Sequence, residues 1–197
     1  MLTRSPDGHT LATGSDDGSA RLWSTDWTGE PLTLAGHGNE IQSISFDASG
    51  HRLLTTCADH RARVWDTRDG TLLRVLEGHS NVILDGALLP DDRVVTASAD
   101  GTLRIWPLDD DDVPPLILTG HGSSGVLDVA VIDGGRKLVS GASDGTARLW
   151  QLELLLGDPD QLRAELEAAT SFCPSVEHRI HELGHDEEQA ALGYAAC

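Results

Sequence analysis

An eight-residue phrase recurs four times in this chain and constrains its fold more than any other feature. It reads DDGSARLW at 16–23, ADHRARVW at 58–65, ADGTLRIW at 99–106 and SDGTARLW at 143–150. The tryptophans that end the phrase lie 41 to 44 residues apart, at Trp23, Trp65, Trp106 and Trp150. Repetition at a fixed period indicates similar structural units that pack against their neighbours. The sequence therefore predicts an array of about four units.

A second landmark, the dipeptide Gly-His, keeps the same period at 36–37, 78–79 and 120–121. After the first of these, IQSISF, HRLLTT, RARVW and TLLRVL are separated by turns rich in Gly, Asp and Ser. Alternating apolar and polar residues between such turns favour short strands, and none of these segments has helical spacing. A four-stranded meander with a period of about 40–45 residues is typical of one propeller blade.

These units resemble WD repeats, and RVWD at 63–66 contains the Trp-Asp pair itself. The resemblance covers about residues 5–151. It implies an all-β fold, a partial WD40 β-propeller of about four blades, followed by a small α-helical C-terminal extension. The blades are expected near 1–35, 36–77, 78–119 and 120–152. The four strands of a blade are lettered a to d in chain order. The first and last blades are expected to be incomplete, because the first unit starts at the turn between strands a and b and little remains after Trp150.

The resemblance also implies a hydrogen-bonded chain within each blade, joining the Gly-His histidine, a Ser or Thr of strand b, an Asp of the b–c turn and the Trp of strand c. In all four units the Asp precedes the Trp by six residues, and the hydroxyl residue precedes the Asp by four. The complete sets are His37, Thr55, Asp59 and Trp65; His79, Thr96, Asp100 and Trp106; and His121, Ser140, Asp144 and Trp150. The first unit has Thr13, Asp17 and Trp23 without a Gly-His.

The same residue types build hydrolase triads, so a catalytic interpretation competes with a structural one. A set that appears three times at a fixed period, each time with a Trp donor, favours the structural role of satisfying buried polar groups. No Walker loop, kinase glycine loop or nucleophile elbow is present in the sequence. We therefore expect no catalytic residues and no cofactor.

Two positions depart from the repeat pattern. His60 stands where the other three units have Gly, so a left-handed backbone there would be strained. Pro107 replaces the Asp that follows Trp in the motif, and four aspartates, Asp109 to Asp112, lengthen the next loop. We expect that acidic run to be a solvated loop, because its spacing is not that of a calcium loop.

The formal net charge of −18, from 14 Lys and Arg against 32 Asp and Glu, disfavours nucleic acid and anionic membranes as partners. No signal peptide and no apolar run long enough for a membrane helix are visible. The three cysteines, Cys57, Cys173 and Cys197, are odd in number and far apart, which indicates no disulfide framework. A cytoplasmic location is predicted.

Residues 153–197 change character and are predicted to be helical. This segment resembles tails that follow WD-repeat arrays in large bacterial signalling proteins whose front part is a serine/threonine kinase or a STAND-type NTPase. It also contains potential metal ligands, which keep open a zinc-binding or metal-dependent alternative: Cys173, His178, His181, His185 and Cys197. No CxxC pair or HExxH motif accompanies them, so no metal ligands are assigned.

The resemblance implies a non-enzymatic scaffold for protein–protein interaction, here predicted as the C-terminal part of a larger bacterial signalling protein. Its partners, proteins or peptides, are expected on the face that carries the d–a loops. Asn39, Asn81 and Ser124 follow the Gly-His positions and are candidate contacts. Two alternatives stay open, a fragment without independent function and an array that a second copy completes.

Overall fold

The computed structural model of the protein describes residues 1–110 and 112–152. The predicted helical tail and its candidate zinc ligands lie outside the described residues. The described part is all-β apart from a short 3-10 turn at Asp133–Gly135 and one helical residue, Leu152, at its end. This confirms the predicted fold class, a partial propeller built from blade-like antiparallel sheets.

Each of four sheets is a meander in which consecutive strands are hydrogen-bonded neighbours. The first blade contains β1 (Leu2–Arg4), β2 (Thr10–Gly14), β3 (Ala20–Ser24) and β4 (Leu32–Leu34). The prediction that this blade is incomplete is wrong, because the three residues before the first turn suffice for a short strand. The second contains β5 (Ile41–Phe46), β6 (Arg52–Cys57), β7 (Arg61–Asp66) and β8 (Leu72–Glu77). The third contains β9 (Ile83–Leu88), β10 (Arg93–Ser98), β11 (Thr102–Pro107) and β12 (Leu116–Thr119). The fourth contains β13 (Val126–Ile132), β14 (Lys137–Ala142) and β15 (Ala147–Gln151), and the strand expected after β15 falls beyond the described residues.

The first strand of each blade contacts the first strand of the next, so β1, β5, β9 and β13 form the inner edge of the array. The second strand of one blade also packs on the first strand of the following blade. Successive side chains of a strand point to opposite faces. Leu53 therefore packs towards the first blade and Leu54 towards the third, and both are almost fully buried. This explains why β6 has buried residues on both faces.

The tryptophans of the second and third blades each contribute to the apolar layer that separates their blade from the preceding one. Trp65 joins Leu34 and Ile41 between the first and second blades, whereas Trp106 joins Val64 and Leu76 between the second and third. The repeat phrase therefore places a large ring in these two interfaces, and in each of the four blades the indole N–H points at the blade's own strand b.

The b–c turns hold the expected left-handed residue. His60 has a φ of 65°, close to the values of 80°, 85° and 78° at Gly18, Gly101 and Gly145. A non-glycine residue in this region has a Cβ close to the backbone carbonyl, which costs free energy. The second blade thus has a strained turn where its neighbours have a relaxed one.

Among the described residues, no helix is long and apolar enough to cross a membrane.

Candidate functional site

The third blade brings all four of its predicted set residues into one hydrogen-bonded chain. Trp106 Nε1 donates to Thr96 Oγ1 over 2.9 Å, and Thr96 Oγ1 lies 2.8 Å from His79 Nε2. On the other side of the imidazole, His79 Nδ1 lies 2.7 Å from Asp100 Oδ2. A carboxylate accepts, so Nδ1 carries the hydrogen and Nε2 accepts the Thr96 hydroxyl. This chain of hydrogen bonds runs from strand c (β11) to strand b (β10), then to the d–a loop before β9, and ends at the b–c turn between β10 and β11.

The fourth blade joins its histidine and aspartate through an additional hydroxyl. Trp150 Nε1 donates to Ser140 Oγ, and this hydroxyl contacts His121 Nε2, both over 2.8 Å. His121 Nδ1 lies 3.2 Å from Thr146 Oγ1, which donates to Asp144 Oδ1 over 2.7 Å. Thr146 thus stands between the two residues that contact directly in the third blade.

In the second blade an arginine separates the histidine from the aspartate. Trp65 Nε1 donates to Thr55 Oγ1 over 2.8 Å, and His37 Nε2 lies 2.7 Å from the same oxygen. Arg63 Nη1 lies 2.8 Å from His37 Nδ1 and 2.9 Å from Asp59 Oδ2. Arg61 occupies the position of the hydroxyl residues Thr102 and Thr146, so no hydroxyl at this position donates to the Asp59 carboxylate.

The guanidinium fixes the opposite histidine tautomer in the second blade. Arginine has donors only, so His37 Nδ1 must accept from Arg63 and Nε2 must carry the hydrogen. Thr55 Oγ1 then accepts from both rings and donates to the Arg63 backbone carbonyl, 3.3 Å away. His37 and His79 occupy equivalent positions but present their lone pairs in opposite directions.

The first blade keeps only the contact between its tryptophan and its hydroxyl. Trp23 Nε1 donates to Thr13 Oγ1 over 2.9 Å, and both residues are half-buried. Asp17 is exposed and accepts the backbone N–H of Ser19 over 2.8 Å. Without a Gly-His residue, the aspartate organises its own turn and does not join the set.

Burial and hydrogen bonding together control the ionisation of these groups. Desolvation lowers the pKa of His79, and it lowers the pKa of His37 to about 4 with the help of the Arg63 charge. Burial alone would raise the pKa of Asp100, but hydrogen bonds from Thr102 and His79 outweigh it and lower that pKa to about 2. Both histidines are therefore neutral at pH 7, and Asp100 is ionised.

Cys57 lies at the end of β6, where it is fully buried and has a free thiol. Burial raises the pKa of its thiol. It is therefore not an activated nucleophile.

The predicted partner-contact residues lie on the d–a loops. Asn39 and Asn81 are exposed, whereas Ser124 is half-buried. The b–c turn of one blade touches the d–a loop of the next: a Cβ at Gly18 would lie 3.0 Å from the Asn39 carbonyl oxygen, and one at Gly101 would lie 2.5 Å from that of Gly122. Turns and loops of neighbouring blades thus form one continuous face, which we call the d–a face.

Sequence reasoning did not single out Arg63 and Thr146, although the repeat contains a signal for both. An arginine precedes every blade tryptophan by two residues, at Arg21, Arg63, Arg104 and Arg148, and the letters DGT occur at 100–102 and 144–146. The signal shows that these positions recur. Only the structure shows that Arg63 contacts His37 and Asp59, whereas Arg104 lies over the Trp106 ring.

Four meander blades with a tryptophan, a strand-b hydroxyl and, in three of them, a loop histidine define a propeller-repeat protein. The family model described as "WD domain, G-beta repeat" matches residues 2–24, 30–66, 70–107 and 113–151. The chain belongs to the WD40 repeat family. Repeats of this family generally mediate protein–protein interaction, which indicates an interaction scaffold.

Among curated proteins, the chain is similar to Protein tipD of Dictyostelium discoideum, with 31% identity over 101 residues. The match covers 51% of this chain and 16% of tipD. The chain therefore aligns with only a small part of that relative.

Proposed function

We propose that this chain is a non-enzymatic scaffold that docks partner proteins or peptides on its d–a face, as the C-terminal portion of a larger bacterial signalling protein. The anchoring of its loops is the observation that carries the proposal. In the second and third blades, the b–c turn carboxylate accepts a backbone N–H of the d–a loop, from Gly38 to Asp59 over 3.4 Å and from Ser80 to Asp100 over 3.1 Å.

The exposed asparagines of this face are held in place before any partner arrives. Oδ1 of Asn39 accepts the Glu40 N–H over 2.9 Å, and Oδ1 of Asn81 accepts the Val82 N–H over 2.8 Å. Side chains that are already ordered lose little conformational entropy on binding, which favours affinity. Asn39 and Asn81 are therefore stronger candidates for partner contacts than the half-buried Ser124.

The burial of the hydroxyls supports a non-enzymatic role. Thr55, Thr96 and Ser140 have no solvent-exposed surface. Each already receives a tryptophan N–H and contacts a histidine. A nucleophile needs access to its substrate, and these three hydroxyls have none.

An exposed sheet face of the fourth blade supports the proposal that these four blades are part of a longer propeller. Val64 and Ile105 are 1% and 2% exposed, whereas Leu149, at the same position of the fourth blade, is 58% exposed. We propose that a further blade of the same polypeptide covers this face. The alternative is a second copy that completes the ring.

The docking proposal is tested by affinity capture from the source organism with the wild type and with the double variant Asn39→Arg/Asn81→Arg. Ser49→Arg is the matched control, because Ser49 is an exposed turn residue at the opposite end of the second blade. We expect proteins that the wild type and Ser49→Arg both retain and the double variant loses. Identical capture by all three proteins would refute docking on this face.

A further inference from the structure

We propose that His37, Cys57 and Asp59 of the second blade form a binding site for a divalent cation of the zinc class. An imidazole nitrogen of His37, the Cys57 sulfur and an Asp59 carboxylate oxygen lie within 4.8 Å of one another. Imidazole, thiolate and carboxylate are the three side-chain ligand types that Zn²⁺ takes in proteins, and three protein ligands leave a fourth position for water. The inference does not depend on the proposed scaffold role.

The site already holds a positive charge. A single guanidinium nitrogen, Arg63 Nη1, lies 2.8 Å from His37 Nδ1 and 2.9 Å from Asp59 Oδ2. Zinc bonds to nitrogen and oxygen measure about 2.0–2.2 Å. For an ion at the place of this nitrogen, His37 Nδ1 and Asp59 Oδ2 would each have to move closer by about 1 Å or less. The ion and the Arg63 side chain therefore compete for the same two ligand atoms.

The imidazole is oriented as a metal ligand requires. His37 Nε2 donates to Thr55 Oγ1 over 2.7 Å, which leaves the Nδ1 lone pair directed at the site. Ligand histidines almost always use their second nitrogen in this way, because the hydrogen bond fixes the tautomer and the ring orientation. In the third blade the corresponding lone pair points away from the aspartate, since His79 Nδ1 carries its hydrogen towards Asp100.

Only the second blade has a sulfur at this place. The corresponding residues of the other blades are Ser15, Ser98 and Ala142. The Cys57 thiol donates to the Asn39 carbonyl over 3.1 Å, and its sulfur accepts the Asp59 N–H over 3.4 Å. These contacts hold the sulfur beside the carboxylate. When the ion binds, the thiol hydrogen passes to solvent and the sulfur becomes a thiolate ligand.

The test is a Co²⁺ titration of the full chain carrying Cys173→Ser and Cys197→Ser, in which Cys57 is the only thiol. Co²⁺ takes the place of Zn²⁺ because a thiolate ligand gives it a charge-transfer absorption that water and carboxylate do not. We expect this absorption to saturate at one Co²⁺ per chain and to disappear on addition of Zn²⁺. Arg63→Met is expected to bind Co²⁺ more tightly, because it removes the competing cation and keeps an apolar stem.

Three control variants identify the ligands. Added to the same background, Cys57→Ser introduces the residue of the first and third blades and is expected to abolish the absorption while the chain stays folded. His37→Asn and Asp59→Asn are each expected to weaken Co²⁺ binding. Moving the thiol to the third blade, with Cys57→Ser and Ser98→Cys together, is expected to give weaker binding.

Four results would overturn the proposal. One is no thiolate absorption at millimolar Co²⁺ in the protein whose only thiol is Cys57. Another is absorption that neither His37→Asn nor Asp59→Asn alters. Equal affinity after the thiol is moved to the third blade would show that the open lone pair of His37 has no part in binding. An affinity unchanged by Arg63→Met would show that the ion and the guanidinium do not share a position.

Discussion

His79 donates its Nδ1 hydrogen to Oδ2 of Asp100 over 2.7 Å, and this bond sets the direction of the hydrogen bond between His79 Nε2 and Thr96. Nε2 accepts from Thr96, whose oxygen accepts from the tryptophan of the same blade. In the second blade Arg63 reverses the histidine tautomer. Two repeats with the same set residues therefore differ in the direction of the hydrogen bond between the histidine and the hydroxyl of strand b.

The first prediction concerns these tautomers. Nitrogen-15 NMR of the imidazoles is expected to show the hydrogen of His79 on Nδ1 and that of His37 on Nε2, because a carboxylate only accepts and a guanidinium only donates. Assignment uses the variants His37→Gln and His79→Gln. The same tautomer in both rings would contradict the assigned roles of Arg63 and Asp100. In Arg63→Met no guanidinium donates to His37 Nδ1, so we expect the hydrogen of His37 to be no longer confined to Nε2.

The second prediction concerns the hydroxyl at the centre of a set. Thr96→Val preserves shape but leaves Trp106 Nε1 and His79 Nε2 without a partner in a buried site. Each orphaned group costs about 1–3 kcal/mol, so we expect the free energy of unfolding to fall by roughly 2–4 kcal/mol. Thr13→Val orphans only the half-buried Trp23 and is expected to cost about 0.5–1.5 kcal/mol. Urea unfolding of both variants measures the difference, and equal costs would argue against a buried network.

The third prediction concerns acid stability. Desolvation lowers the pKa of His79 below its usual value of 6.5, against the opposing influence of Asp100 and in the same direction as Arg104. When the pH lies between 6.5, the pKa of His79 in the unfolded chain, and its lower pKa in the folded protein, the unfolded chain binds one proton more than the folded protein. The contribution of the neutral His79 to stability is therefore complete above pH 6.5 and is lost as the pH falls through its folded pKa. Asp100, with a pKa of about 2 against a usual 3.8, adds a further loss below about pH 4.

Urea midpoints measured from pH 7.5 to pH 3 test this pH dependence. We expect the midpoint to fall with decreasing pH in the wild type and to fall less steeply in His79→Asn. His37 shifts in the same direction, so part of the slope is expected to survive in that variant. A midpoint that rises between pH 6.5 and pH 5 would contradict the neutral, buried state of both histidines.

The fourth prediction concerns the strained turn. His60→Gly relieves a left-handed conformation that costs about 1–2 kcal/mol, partly offset by about 0.5–1 kcal/mol of extra unfolded-state entropy for glycine. We expect a net stabilisation of up to about 1.5 kcal/mol by thermal or urea unfolding. Gly101→Ala, at a φ of 85°, is expected to destabilise, because its Cβ would also meet the Gly122 oxygen at 2.5 Å. Destabilisation by His60→Gly would show that its side chain makes a compensating contact.

The sequence was sufficient to predict the fold, because the period and the positions of Trp and Asp are read directly from the letters. It also indicated which hydroxyl the tryptophan contacts, since only the residue four before the aspartate is Ser or Thr in every unit. It did not predict how His37 reaches Asp59. The contact depends on Arg61 replacing a hydroxyl residue and on the direction in which the Arg63 side chain points. The sequence alone does not determine which of several competing partners a side chain contacts.

The fifth prediction concerns the uncovered face of the fourth blade. Leu149 is 58% exposed on a sheet face that is buried in the second and third blades, so this chain is expected to associate as its concentration rises. Light scattering after size exclusion, at several concentrations, is expected to show polydisperse species that Leu149→Glu reduces. Leu73→Glu is the matched control, since Leu73 is 50% exposed on the outer strand β8 of the second blade, away from the fourth blade. A sharp dimer that persists on dilution and is lost only in Leu149→Glu would instead indicate that a second copy, and not a further blade of the same polypeptide, covers this face.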